Sequence, residues 1–262
     1  MTAPSFIDFA LALADAARSV TMSAGAKLTA EDKNSGGAFD PVTESDRAAE
    51  RAMRALIEYR HPNHGIRGEE YPERRARGRY VWSLDPIDGT RSFLCGLPSW
   101  TTLIALLDEG KPVLGLIDAP RMRERYLGIA GGTRLIGDKG DAVLAASGCM
   151  RLDEARVTTT NPYLFAGAEK EAFERLRGAA RLTVFGQDAY GYARVAAGTL
   201  DLVVESGLKP HDYNALIPVV RGAGGVIGNW RGEDDFSAGQ IVAAATQELF
   251  EEAVAILKSA AR

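Results

Sequence analysis

The sequence has 262 residues, of which 46% are hydrophobic and 25% charged, and its formal net charge is −4. This length can bury a sizeable core, either as one large domain or as two closely packed halves. The slightly negative charge argues against a broad nucleic-acid-binding surface, and no apolar run reaches the length that spans a membrane.

The cysteines and the N-terminus predict the compartment. Cys95 and Cys149 are too few to define a disulfide framework, and isolated thiols suit a reducing environment. The first residues lack a basic region followed by an apolar stretch, so we find no secretory signal. We therefore predict a cytoplasmic protein.

Two amphipathic helices are predicted at the start of the chain. Apolar residues at helical spacing predict the first, and they are Phe6, Phe9, Leu13, Ala17 and Val20. The polar, glycine-rich residues 33–38 are expected to form a loop. Ser45 is expected to cap the second helix, which runs to about Tyr59. Its inward-facing residues are predicted to be Ala49, Met53, Leu56 and Ile57.

Four strands are predicted in the rest of the first half, at residues 80–84, 101–107, 113–117 and 125–130. The turn signal at residues 108–111 predicts that the second and third form a hairpin. The pattern weakens over residues 142–151. We expect a single domain, 1–262, with a soft boundary between two intimate halves, 1–145 and 146–262.

Strands and helices alternate in the second half. Strands are predicted at residues 156–160, 182–185, 200–204 and 241–245, and helices at 169–177, 189–197, 212–221 and 249–257. The glycine-rich residues 222–225 are expected to end a helix. Alternation of this kind predicts sheets covered by helices, and thus an α+β protein.

Two polar segments are expected to lie in loops. His61 and His64 flank Pro62-Asn63 and are expected to be solvated, and together with His211 they show no zinc-binding spacing. The arginine-rich residues 73–79 are also expected to form a solvated loop, with contact to a partner as the alternative.

The segment Asp85-Pro86-Ile87-Asp88-Gly89-Thr90 carries the strongest chemical signal. Two carboxylates at the end of an apolar strand suit a hard cation such as Mg²⁺. The Gly89-Thr90 turn, if a helix follows it, offers backbone N–H groups to an anion. A metal site beside a phosphate site indicates phosphate-ester chemistry, although either acid alone is also typical of an ordinary turn.

Three further segments accompany this one in a fixed order. They are Asp40-Pro41-Val42-Thr43-Glu44-Ser45-Asp46, then Gly68-Glu69-Glu70, and finally His211-Asp212-Tyr213-Asn214-Ala215 followed by Gly222-Ala223-Gly224-Gly225. With the segment at 85–90, this set resembles the motifs of the inositol monophosphatase superfamily. That family usually has Trp-Asp in the last motif, whereas this chain has His211 before Asp212. Residues 91–93 and 96–98 resemble the histidinol-phosphate phosphatase branch.

The resemblance implies a fold and a metal centre. The fold would be the layered αβαβα sandwich of the inositol monophosphatase and fructose-1,6-bisphosphatase type, with the metal and phosphate signature in residues 1–145 and the substrate side in 146–262. The ligands of two or three Mg²⁺ ions would be the side chains of Glu69, Asp85, Asp88 and Asp212 and the carbonyl of Ile87. Glu70 would orient these ligands.

The resemblance also implies catalytic and substrate-binding residues. Asp46 and Thr90, with Glu69, would activate and orient a water for attack on phosphorus. The substrate would contact Asp88, Gly89, Thr90, Asp188, Glu205 and Asp212. Helix capping remains the alternative role for Asp46, Thr90, Asp188 and Asp212. A homodimer is also expected from the family.

The expected activity is therefore a Mg²⁺-dependent phosphomonoesterase. Inositol-specific relatives tend to have a small neutral residue at position 188, and an acid there suits a cationic alcohol. We predict hydrolysis of L-histidinol phosphate to L-histidinol and phosphate, in histidine biosynthesis. The alternatives are an inositol monophosphate or related sugar phosphate as substrate and, more remotely, a non-catalytic regulator that binds metal or phosphate.

Overall fold

A computed structural model describes residues 4–23, 30–32, 41–138 and 140–262. The expected loop at 33–38 and the motif residue Asp40 lie outside this part. The helices in the described part are α1 (Pro4–Thr21), α2 (Glu44–Arg60), α3 (Thr90–Leu94), α4 (Ala168–Ala179), α5 (Asp188–Ala196), α6 (Pro210–Tyr213), α7 (Leu216–Gly222) and α8 (Gln247–Leu257). None of them is both long and apolar enough to span a bilayer.

The strands form three sheets. In chain order they are β1 (Ala30–Asp32), β2 (Pro41–Thr43), β3 (Gly65–Gly68), β4 (Tyr80–Asp88), β5 (Thr101–Asp108), β6 (Lys111–Ala119), β7 (Glu124–Ile129), β8 (Gly132–Gly137), β9 (Ala142–Leu144), β10 (Arg156–Thr159), β11 (Leu182–Phe185), β12 (Leu202–Glu205), β13 (Val226–Asn229) and β14 (Ile241–Ala244). Strands β3 to β9 form a seven-stranded sheet in chain order, β1 pairs with β2, and the remaining five strands are ordered β11-β10-β12-β14-β13.

Three hydrophobic clusters stack these elements into layers. Helices α1 and α2 pack on one face of the seven-stranded sheet, through residues such as Leu13, Met53 and Ile104. Helices α5 and α7 fill the space between the two large sheets. Helices α4 and α8 cover the outer face of the five-stranded sheet. The order helix, sheet, helix, sheet, helix confirms the predicted αβαβα architecture.

The hairpin at β5 and β6 is confirmed, with antiparallel pairing from Thr102 opposite Asp118 to Asp108 opposite Lys111. Strand β4 is longer than predicted, because it continues to Asp88. Its register against β5 shifts between Asp85, opposite Leu103, and Asp88, opposite Thr101. One extra residue on β4 therefore forms a bulge, which re-aims the side chains that follow it.

Two predicted helix boundaries were wrong. Helix α2 is capped by Thr43 rather than Ser45, because the Thr43 hydroxyl accepts the N–H groups of Ser45 and Asp46. The predicted helix at 212–221 is divided into two hydrogen-bonded helices, α6 and α7, although Asn214 and Ala215 between them keep right-handed helical dihedral angles. Pro218 has no N–H to donate to the carbonyl of residue 214, which interrupts the hydrogen-bond pattern there.

The prediction that His61 and His64 are solvated was also wrong. Their rings stack with centroids 4.5 Å apart, and Phe6 and Phe9 pack against them. The indole Nε1–H of Trp82 donates to Nδ1 of His64 at 3.1 Å. The two histidines thus belong to the aromatic contact between α1, the end of α2 and β4.

Candidate metal centre and active site

Three carboxylates meet where β4 ends and α6 begins. One oxygen from each of Asp85, Asp88 and Asp212 lies within 4.8 Å of the other two. Residues three apart on a regular strand point to opposite faces, so the bulge in β4 is what allows Asp85 and Asp88 to converge. Asp85 is only 2% exposed.

The register of β3 brings a fourth acid to this cluster. Strand β3 is parallel to β4, with Gly68 opposite Leu84. The next residue, Glu69, therefore follows β3 beside Asp85. Its charge raises the pKa of Asp85, which agrees with this position.

The electrostatics of the cluster are unfavourable without a cation. Burial is the largest cause that raises the pKa of Asp85, and the charges of Glu69, Asp88 and Asp212 follow. Burial also raises the pKa of Asp88, where Asp188 is the strongest neighbouring charge. Oδ1 of Asp85 is buried, and no described residue offers it a hydrogen bond. Converging oxygen donors, one of them unpartnered, fit a hard divalent cation such as Mg²⁺.

The turn after Asp88 has the geometry expected of an anion-binding corner. Gly89 has a φ of 82°, in the left-handed region that glycine adopts without a steric penalty. Helix α3 begins at Thr90, and Gly89 is its N-cap, so the capping alternative for Thr90 was wrong. The Thr90 hydroxyl instead donates to the carbonyl of Ile87 at 3.1 Å.

Asp46 lies near the cluster and also caps α2. Its Oδ2 accepts the backbone N–H of Thr43 at 2.8 Å and the Thr43 hydroxyl at 2.5 Å. Its side chain is 1% exposed, and its charge contributes to the raised pKa of Asp85. Asp46 therefore both caps α2 and lies near the carboxylate cluster. The same holds for Asp212, whose Oδ2 accepts the N–H of Lys209 at 2.6 Å.

Asp188 faces the signature turn. Gln187 is the N-cap of α5, so the capping alternative for Asp188 was wrong. Oδ2 of Asp188 accepts a hydrogen bond from the Ser92 hydroxyl at 3.4 Å. A Cβ added to Gly89 would lie 2.8 Å from the same oxygen. The next N–H, of Ala189, donates to Asp88 at 2.8 Å. Asp188 has a φ of 45°, which is strained for a residue other than glycine.

Glu205 is a buried acid at the end of β12. Its Oε1 accepts the backbone N–H of Thr160 at 2.5 Å, while Oε2 has no partner in the described residues. Burial raises the pKa of Glu205 to about 8. A buried carboxyl with a free oxygen is suited to accept a hydrogen bond from a ligand or to pair with a cationic one.

Tyr192 is the residue near this site that sequence reasoning missed. Its side chain is 1% exposed, and no described residue bonds its hydroxyl. Burial is the main cause of its raised pKa, followed by the charges of Glu205, Asp88 and Asp212. The only signal in the sequence is its position four residues after Asp188, which places both on one face of α5.

Other candidate residues lie outside this cluster or at its edge. Nε2 of His211 lies 3.3 Å from Oδ1 of Asp212. In the arginine-rich segment, Arg74 donates to the carbonyls of Pro62 and His64, and Arg79 pairs with Asp108. These contacts give that segment a structural role. Cys95 and Cys149 are free thiols.

Known proteins resemble the chain in sequence and in fold. It is 46% identical over 198 residues to the Arabidopsis thaliana bifunctional phosphatase IMPL2, chloroplastic, covering 74% of this chain and 56% of that protein. It is 32% identical over 222 residues to a histidinol-phosphatase of Chlorobaculum parvum, covering 85% of each. An inositol monophosphatase structure from Zymomonas mobilis is 39% identical, with a TM-score of 0.84 over 97% of this chain and 98% of that one.

The match to a known family extends over nearly the whole chain. Residues 4–262 fit the sequence pattern of the inositol monophosphatase family. The layered fold agrees with that of inositol monophosphatase structures, including the Thermotoga maritima enzyme at a TM-score of 0.84 and 26% identity. The carboxylate cluster and the two large sheets therefore belong to one recognised scaffold, and the chain is a member of the inositol monophosphatase family of metal-dependent phosphatases.

Proposed function

We propose that this protein is a Mg²⁺-dependent phosphomonoesterase that hydrolyses L-histidinol phosphate, with the catalytic domain formed by both halves of the chain. The observation that supports this choice of substrate is the acid at position 188, whose carboxylate lies against Gly89 of the signature turn. Histidinol-phosphatases from Chlorobaculum parvum, Mycobacterium tuberculosis and Streptomyces coelicolor are among its relatives.

The proposed metal ligands are Glu69, Asp85, Asp88, Asp212 and the carbonyl of Ile87. Their support is the convergence of three carboxylates and the unpartnered oxygen of Asp85. Bound Mg²⁺ would stabilise negative charge on the phosphate oxygens and promote ionisation of the attacking water. Two or three ions are proposed for this site.

The chain's own groups would bind and orient the reactants. The Gly89-Thr90 turn would hold the phosphate through backbone N–H groups at the start of α3. Asp46 and Thr90, with Glu69, would accept hydrogen bonds from the attacking water and align it with phosphorus. The water oxygen would bond to phosphorus as the phosphorus–oxygen bond to the alcohol breaks, and one proton of that water would pass to the departing oxygen, so that histidinol leaves. This arrangement needs no protein nucleophile.

The alcohol would contact Asp188 and Glu205. Histidinol carries an ammonium group and an imidazole, and hydrogen bonds between charged groups are stronger than neutral ones. The unpartnered Oε2 of Glu205 supports this assignment, because a buried acceptor favours a ligand that satisfies it. An alcohol without such donors would leave Oε2 of Glu205 without a partner and would bind less well.

A side-by-side assay tests the substrate. The purified protein is supplied with Mg²⁺ and either histidinol phosphate or inositol 1-phosphate, and phosphate release is measured. We expect higher kcat/KM for histidinol phosphate and no turnover in EDTA. Equal efficiency on inositol 1-phosphate would contradict the substrate, whereas full turnover in EDTA would contradict the metal.

Inositol phosphate is the second candidate substrate. Relatives include an inositol-1-monophosphatase of Mesorhizobium japonicum, 32% identical over 216 residues. Preference for inositol 1-phosphate in the same assay would favour it. A non-catalytic regulator remains the remote alternative, and absence of phosphate release from both substrates would favour that role.

We also propose a homodimer and a cytoplasmic location. Strand β11 lies at the edge of its sheet, and apolar side chains on it and just before α4 are exposed. They are Tyr163, Leu164, Leu182, Val184 and Phe185. A patch of this kind on a sheet edge is typical of a surface covered by another protein chain.

A further inference from the structure

Glu50 is a buried acid that the proposed chemistry does not use. It lies on α2, one turn after Asp46, and its side chain has no exposed surface. A buried carboxylate is costly unless it is paired and hydrogen-bonded. Its partners therefore indicate what it does.

The hydrogen bonds of Glu50 connect α2 to the segment that carries Glu69. Oε2 of Glu50 accepts the backbone N–H of Glu70 at 2.7 Å. Oε1 accepts Nε–H of Arg54 at 2.6 Å, and Nη2 of the same arginine donates to the carbonyl of Tyr71 at 3.0 Å. The ion pair on α2 thus bonds the backbone at two positions directly after Glu69.

The residue before Glu69, Gly68, also lies close to α2. A Cβ added to Gly68 would overlap the Glu50 carboxylate, so glycine permits the close approach of the two. Beyond the segment, Ile66 and Arg74 exchange two backbone hydrogen bonds at 2.9 and 2.8 Å. The turn from Gly68 to Tyr71 is therefore closed at its base and bonded to α2 at its tip.

We propose that Glu50 is a positioning residue that, together with Arg54, holds the backbone of residues 68–71 so that the Glu69 carboxylate faces Asp85. The inference rests on the proposed metal site, because Glu69 is a ligand only in that proposal. Groups that orient metal ligands typically change metal affinity more than they change the contacts with substrate.

Mg²⁺ binding measured by titration calorimetry on the metal-free protein is the direct test. Glu50→Gln keeps the shape of the side chain but loses its charge and the ion pair with Arg54. We expect it to weaken Mg²⁺ binding by about 10- to 100-fold. The Mg²⁺ concentration for half-maximal phosphatase activity should rise in parallel, while KM at saturating Mg²⁺ stays within about twofold.

A matched control separates positioning from general destabilisation. Asp201, just before β12, is another buried acid and is 1% exposed. It forms an ion pair with Arg156 of β10, in the five-stranded sheet. Asp201→Asn should lower Tm as Glu50→Gln does, without changing Mg²⁺ affinity. If Glu50→Gln fails to fold, the double variant Glu50→Gln/Arg54→Gln leaves no unpaired buried charge and should show the same loss of affinity.

The possible failures are distinguishable. If the wild-type protein neither binds Mg²⁺ nor releases phosphate, the proposed function itself is wrong. If it does both, and the Glu50 variants bind Mg²⁺ with wild-type affinity, the positioning role is wrong. An equal loss of affinity in Asp201→Asn would also overturn it, since the effect would then reflect stability alone.

Discussion

The carboxylate cluster is the part of the molecule where single residues matter most. Asp85 lies at its centre, because the charges of Glu69, Asp88, Asp212 and Asp46 all raise its pKa. Four acids around a fifth in a buried setting repel one another, and this repulsion is relieved only by protonation or by a cation. The repulsion lowers the stability of the metal-free protein, and binding of a cation relieves it.

Replacing Asp85 by Asn removes one negative charge from the centre of the proposed metal site. We expect Asp85→Asn to lower phosphatase kcat/KM by at least about 100-fold, because removal of a ligand disrupts the metal centre. The rise in Tm that Mg²⁺ causes in the wild type should disappear. Circular dichroism should show an unchanged fold, and near-normal activity in the variant would rule out this metal site.

Asp188 provides the test of specificity at the residue scale. Asp188→Ala should reduce kcat/KM for histidinol phosphate by about tenfold or more, because it removes a charge-assisted contact with a cationic alcohol. The effect on a neutral ester such as inositol 1-phosphate should be much smaller. Steady-state kinetics on both substrates measure the difference. An equal loss on both would instead assign Asp188 a role in holding Asp88 and the signature turn.

At the scale of elements, helix α1 packs on the seven-stranded sheet through an aromatic contact that includes a neutral histidine. Nδ1 of His64 accepts the Trp82 indole N–H, so this nitrogen carries no proton. His61 stacks on its ring, Tyr80 packs beside it, and Arg74 donates to its backbone carbonyl. Burial, and secondarily the charge of His61, lowers the pKa of His64 from 6.5 to about 4.

This contact predicts a specific loss of stability in acid. The unfolded chain protonates His64 near pH 6.5, whereas the folded protein does so only near pH 4. The stability of the neutral form is therefore complete above pH 6.5 and is lost as the pH falls toward 4. His64→Gln keeps an acceptor for Trp82 and does not titrate. Between pH 7 and 5, urea unfolding should show the wild type losing about 1 kcal/mol more than the variant.

His61 has a lowered pKa of the same origin and remains in both proteins, so it cancels in this comparison. An identical slope in His64→Gln would show that His64 does not titrate in this range.

For the whole molecule, the proposed dimer would form at the exposed edge strand β11. Phe185 and Val184 are 43% and 39% exposed on an edge strand, and Gly186 to Asp188 follow directly. Covering this edge with a second copy would bury the apolar side chains and fix the strand that leads to Asp188. Assembly and specificity would then be linked through the same short segment.

We expect the wild-type protein to elute as a dimer in size-exclusion chromatography with light scattering. Phe185→Glu places a charge on the proposed interface and should yield a monomer that remains folded, because the side chain is already partly exposed. Met122→Glu, on an exposed residue in the turn between β6 and β7 of the other large sheet, should remain dimeric. A wild-type monomer, or a dimer in Phe185→Glu, would contradict the proposed interface.

Much of the fold was predictable because it depends on local patterns. The helical spacing of Phe6 to Val20 and the turn between β5 and β6 are properties of neighbouring residues, and both predictions were confirmed. Helix ends were less certain, because Thr43 and Ser45 are both good caps and only the backbone geometry selects Thr43. Strands such as β3, β8, β9 and β13 were missed. Each is only three to six residues long, and its pairing with a neighbouring strand, rather than its own residue pattern, defines it.

The class of the site could be predicted from the sequence, because Asp85 to Thr90 and the segments around Glu69 and Asp212 carry the family's motifs. How those acids meet depends on tertiary packing. The bulge in β4 turns Asp85 and Asp88 toward each other, and the parallel register of β3 brings Glu69 beside them. Likewise, the hydrogen bond from the Glu70 N–H to the Glu50 carboxylate joins α2 to the segment that follows β3. The pattern of neighbouring residues indicates which segments tend to form helices or strands. Contacts between distant segments depend instead on how whole sheets and helices pack.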